Sequence, residues 1–127
     1  MPTIIPLYAA ILALIFVALS FRTLLLRRAK GVAVGTADDL ELTRAMRVHA
    51  NFAEYVPLAL ILFFFLELGG ESNTVLHGLG IALIVGRLLH AFGVSQTEEK
   101  FQFRVTGMVL TLGALISASV RLLISYI

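Results

Sequence analysis

Four long apolar runs, separated by short polar stretches, govern what this chain can fold into. In hydrocarbon every backbone N–H and C=O must be satisfied within the segment itself, so a span has to be helical. At about 1.5 Å per residue, crossing takes roughly 20 mostly apolar residues. Runs of that kind fall at about 4–26, 48–68, 75–92 and 105–126. They account for most of the 127 residues, which leaves no room for a separate soluble domain. The expected fold is all-α: a single domain forming an integral membrane four-helix bundle. Composition agrees, because 59% of residues are hydrophobic and 14% charged, against about a quarter charged in ordinary soluble domains.

Local signals set the expected ends of the helices. Pro2 and Pro6 suit a first helical turn, where a missing N–H costs nothing. Asp38 or Asp39 can cap a helix that begins near Leu40 and leads through Arg44 and Arg47 into the second span. Gly69-Gly70 stops it with a left-handed C-terminal cap. Gly78, Ala82 and Gly86 form one small-residue stripe on the third helix, and Ala114 and Ala118 do so on the fourth. In lipid, helices associate through such close packing. The first span lacks the basic start of a secretory signal. Its basic residues Arg22, Arg27, Arg28 and Lys30 come after the apolar run, so it reads as an uncleaved span.

Lysine and arginine also predict topology. Residues 27–47 hold Arg27, Arg28, Lys30, Arg44 and Arg47, and the third loop holds Lys100 and Arg104. The second loop, near Gly69-Gly70, has neither type. The positive-inside rule then puts loops one and three in the cytoplasm and both termini on the opposite side. A net charge of +2 is too slight to suggest nucleic acid as a partner. With Cys 0, any thiol chemistry needs a thiol brought by a ligand. The three histidines are scattered and give no metal-binding spacing.

Ionisable residues inside spans are costly and usually face a bundle interior or a cavity. Arg47, Asn51 and Glu54 lie at i, i+4 and i+7 on the second helix, flanked by Arg44 and Tyr55. Arg87 and His90 share a face of the third. Glu54 sits about 9 Å from one end of its span and Arg87 about 8 Å from the matching end of its own, so both reach one layer. Singly, each residue has a plain role: Glu54 with Arg87 as a pair fixing register, Asn51 as an interhelical bond, the arginines as anchors. Together, so many donors beside a carboxylate and an amide suggest a bound anion such as a peptide carboxylate.

The run Arg44-Ala-Met-Arg47-Val-His49-Ala-Asn51-Phe-Ala-Glu54-Tyr55-Val-Pro57 resembles the second-helix signature of the MAPEG family, the membrane-associated proteins in eicosanoid and glutathione metabolism. Arg27-Arg28 closing the first helix, Gly86-Arg87-Leu88 in the third and Arg104 opening the fourth extend the likeness over nearly the whole chain. The resemblance implies a homotrimer, with glutathione as co-substrate bound between subunits in the cytoplasmic leaflet. It places Arg44, Arg47, Asn51, Glu54 and Tyr55 at the glutathione site, together with Arg87 and His90, and makes Arg28 or Arg104 the arginine that stabilises the thiolate. The implied activity is a glutathione-dependent transferase or peroxidase acting on a lipophilic second substrate in a bacterial inner membrane. The chain departs from the family's eukaryotic synthases in carrying His90 and Val94 where they have tyrosines. Two alternatives stand beside this reading: a non-catalytic member that binds a lipid or partner protein, and a small transporter with Glu54 as its proton-coupling carboxylate.

Overall fold

The computed structural model describes residues 1–127. Four helices follow one another: α1 (Ile5–Lys30), α2 (Leu40–Leu68), α3 (Asn73–Ser95) and α4 (Phe101–Tyr126). Each is long and apolar enough to cross a membrane. They overrun the apolar spans read from the sequence because helical hydrogen bonding continues past the hydrophobic stretch. In α1 the last turn carries Arg27, Arg28 and Lys30, cations suited to the negative end of the helix dipole. It closes at Gly31, φ 65°, where the Val32 N–H donates to the Arg27 carbonyl at 3.0 Å. α4 begins at Phe101, four residues before its apolar run, so Arg104 lies within the helix.

Asp39 is the cap of α2, its carboxylate accepting from the Leu42 N–H at 2.8 Å. Lys30 approaches the same carboxylate at 2.7 Å. The ammonium and the Leu42 N–H together hold the Asp39 carboxyl below its ordinary value. At the other end of α2 the left-handed residue is Gly70, φ 83°, while Gly69 stays right-handed. The Glu71 N–H returns to the Leu66 carbonyl and the Gly70 N–H to Glu67, closing a Schellman turn.

A core of Leu12, Phe52, Val56, Phe63, Leu83 and Ala118, among others, runs along the bundle axis. The outer surface is apolar as well, with Leu14, Phe21, Leu58, Val109 and Ile116 all exposed. That exterior suits lipid rather than water. α3 and α4 make the most intimate pairing. A Cβ on Gly107 would sit 2.5 Å from the Gly86 carbonyl oxygen, and one on Gly93 would sit 2.6 Å from the Arg104 nitrogen. The expected Gly78–Ala82–Gly86 stripe is therefore only partly right. Gly78 faces open space and Gly86 meets α4, because the crossing runs through Gly86, Gly93 and Gly107 instead.

At the end of the bundle bearing the second loop, the polar groups are absorbed by structure. Glu67 accepts from the backbone N–H groups of Thr3, Ile4 and Ile5 at 2.7, 2.7 and 2.9 Å, serving donors that a helix start leaves open. The Tyr8 hydroxyl and His77 Nδ1 lie 2.9 Å apart, and Arg121 donates to Glu71 at 2.9 Å. The Ser72 N–H donates to Glu71 too. That N–H first, and then Arg121, holds the Glu71 carboxyl below its ordinary value.

Candidate functional site

The opposite end of the bundle is different. A cleft of about 280 Å³ opens there, lined by Leu40, Thr43, Arg44, Arg47 and Asn51 of α2, His90 and Val94 of α3, and Glu99 and Arg104 around the third loop. The residues on α2 are there for a helical reason. Positions 40, 43, 44, 47 and 51 recur at spacings of three and four and so share one face. The α3 residues follow the same rule: His90 and Val94 are four apart, and His90 lies one turn past Gly86, which with Gly93 brings α4 close. That approach carries Arg104 to the cleft.

The charges lining this cleft are three guanidiniums, on Arg44, Arg47 and Arg104, against the single carboxylate of Glu99. Glu99 Oε1 accepts from Arg104 at 2.8 Å and lies 3.7 Å from Arg44. Arg44 also donates to the Val94 carbonyl at 3.1 Å, while its Nε is buried with no partner. Buried N–H groups normally find an acceptor, so the lining carries unspent donor capacity as well as positive charge. What such a wall can do is grip an anion, above all a planar carboxylate.

Other arginines near this end are committed elsewhere. Arg27 donates to the carbonyls of Val32, Ala33 and Gly35 and so fastens the first loop. Arg22 donates to Ser95 at 2.6 Å, tying α1 to the end of α3. Arg28 is exposed at the end of α1 and does not line the cleft.

The sequence-predicted residues are distributed unevenly. Arg44, Arg47, Asn51, His90 and Arg104 converge on the cleft. Arg87 and Tyr55 lie outside its lining: the Arg87 guanidinium is 5.7 Å from the Tyr55 ring centroid. Glu54 does not reach Arg87, so the expected Glu54–Arg87 pair does not form. Glu54 is exposed, with Arg47 its ion-pair partner at 4.0 Å, and Arg87 is bonded to Asn51 Oδ1 at 2.6 Å instead. Three residues beyond Asn51 is about 300° of rotation, which turns Glu54 about 60° off the Asn51 direction. On a helix at a bundle's rim that separates the inward Asn51 from an outer face, with Arg47 between the two at the edge of the cleft. His49 stacks on Phe16 with ring centroids 4.7 Å apart, and its Nε2 is 2.9 Å from the Ser20 hydroxyl.

Three participants escaped sequence reasoning. Glu99 sits in a short acidic-basic loop whose charges look solvated. Thr111 and Met108 look like ordinary lipid-helix residues, yet both accept hydrogen bonds from Arg87. A signal for Thr111 was available: it lies four residues past Gly107, on the face that glycine turns toward α3.

A model of the MAPEG family matches residues 5–124 of the chain. The chain is also 38% identical over 110 residues to the inner membrane protein YecN of Escherichia coli strain K12, covering 87% of this chain and 82% of that protein. The protein of the same description from Escherichia coli O6:H1 gives the same figures. No solved structure matches.

Proposed function

The chain belongs to the MAPEG family, and on that footing we propose that its arginine-lined cleft binds glutathione as co-substrate for transfer to, or reduction of, a lipophilic electrophile. The observation that carries this is the convergence of Arg44, Arg47, Asn51, His90 and Arg104 on one cleft with an unpartnered Arg44 Nε. Glutathione brings two carboxylates for those donors and the thiol that a chain with Cys 0 lacks. A guanidinium beside the sulfur would favour thiolate over thiol, and the thiolate is the nucleophile. Arg104 is the better placed of the two expected arginines, since it lines the cleft and Arg28 does not.

At about 280 Å³ the cleft of a single copy falls just short of the roughly 300–1,000 Å³ typical of small-molecule sites. Beside it, Arg47 and Glu54 present half or more of their side chains on an outer face, 61% and 52% exposed. Ionisable groups turned to lipid are costly, so this face is the natural seat of a second copy. This exposed face supports a homotrimer with a site between subunits, in which Glu54, Tyr55 and the neighbour's residues complete the cleft. The Lys/Arg distribution supports an orientation with the arginine-rich end facing the cytoplasm.

Calorimetry and thermal unfolding of the detergent-solubilised protein with millimolar glutathione test the reading. Binding heat and a raised Tm are expected; neither appearing sinks it. The ion pair between Arg104 and Glu99 favours a second reading, in which the family member binds its ligand without activating it. Glutathione binding without thiolate absorbance in the ultraviolet, and without turnover of an apolar electrophile, selects that one.

A further inference from the structure

Arg87 is 2% exposed, and no carboxylate touches it. Its Nε donates to Thr111 Oγ1 at 3.0 Å, one terminal nitrogen to Asn51 Oδ1 at 2.6 Å and the other to Met108 Sδ at 3.3 Å. The Tyr55 ring covers it at 5.7 Å. Every one of these neighbours is neutral. A cation buried in a membrane helix ordinarily draws an acidic partner, and an aspartate at position 51 would be nearly isosteric with the residue present. The chain carries the amide instead, which has a consequence for the cleft.

A guanidinium has donors only, so the Asn51 amide has to meet it oxygen first. Its nitrogen is then fixed on the other branch of the side chain, and Asn51 is a lining residue of the cleft while Arg87 is not. From this geometry we infer that Arg87 is a positioning residue. It locks the Asn51 amide with the N–H₂ turned to the cleft as a donor, and its uncompensated charge keeps that wall positive. Thr111 holds Arg87 in turn, spending its own hydroxyl proton on the Gly107 carbonyl at 2.8 Å. The ligand class this selects is a carboxylate-bearing peptide, and the inference rests on the glutathione reading only for the choice of probe.

The test pairs Asn51→Asp with Arg87→Met and Arg87→Lys in the full chain. Asn51→Asp gives Arg87 a counter-ion and shows the cleft an acceptor. Its Tm should rise by several degrees while glutathione affinity falls about tenfold or more. A role confined to structure would raise Tm and leave affinity alone, and that result overturns the inference, as does an unchanged or lower Tm. Asn51 and Asn73 are the asparagines of the chain, so the side-chain amide resonances of protein labelled at asparagine with nitrogen-15 are readily assigned. Arg87→Met should move the Asn51 resonance and weaken glutathione binding, with Arg87→Lys restoring part of both; an unmoved resonance overturns the inference. If the unaltered protein binds no glutathione, the glutathione reading fails by itself, and the Asn51 resonance with the Tm of Asn51→Asp still decides whether Arg87 sets the amide.

Discussion

Glu99 stands between Arg104 and Arg44 where an incoming carboxylate would have to stand. Any anionic ligand therefore displaces it or shares its arginines, and part of the binding energy goes to breaking an ion pair already made. Exposed pairs of this kind contribute about 0.2–1 kcal/mol, so Glu99→Gln should tighten glutathione binding by a few-fold at most, read by calorimetry. Weaker binding would show that Glu99 holds a cationic group of the ligand. At this scale the sequence was informative for residues sharing one helix face and uninformative across helices. Arg44, Arg47 and Asn51 fall together because their spacing follows the helix repeat. The partner of Arg87 was misassigned because depth alone does not separate Asn51 from Glu54; their difference in azimuth does, and only the packed bundle fixes which azimuth is inside.

Between elements, the decisive contact is the glycine crossing of α3 and α4, which sets the distance from His90 to the helix that carries Arg104. Gly107→Val should force these helices apart. Overpacking of a tight core costs about 1–3 kcal/mol, and with the Gly86 carbonyl 2.5 Å from the new Cβ the upper part of that range is expected. A lowered Tm in detergent with weakened glutathione binding checks it. A Gly78→Ala control faces open space and should leave both unchanged. The helices themselves were legible, since apolar length, Asp39 and the Gly69-Gly70 stop all sit in the sequence. Which glycines touch was not legible, because a small residue marks a permissible approach and the crossing angle selects among the candidates. At the far end, the turn between α2 and α3 is clamped to α4 by Glu71 and Arg121. The Glu71 carboxyl is held below its ordinary value, so its stabilisation is present above the ordinary value of 4.5 and is lost as pH falls through the lowered folded one. Unfolding of the unaltered protein should ease in acid below that value, and Glu71→Gln should flatten that dependence.

For the whole molecule, polarity is divided between two ends with different duties. One end saturates its polar groups internally; the other leaves three guanidiniums at a cleft, and one of them, Arg47, reaches with Glu54 onto an outer face. An unfinished face in an otherwise apolar exterior predicts association. The protein–detergent complex should carry three copies by mass, and Glu54→Lys, which sets like charges on that face, should dissociate it to single copies. A mass of one copy for the unaltered protein would remove the trimer. The saturated end has a consequence for how the chain is made. The first N–H groups of α1 depend on Glu67, a residue that the ribosome delivers more than sixty positions later. Until α2 has crossed and brought its carboxylate back to the start, the opening donors of α1 have only water at the membrane edge to turn to. The two helices are thus tied to mature as a hairpin, with the last turn of the second completing the first turn of the one before it.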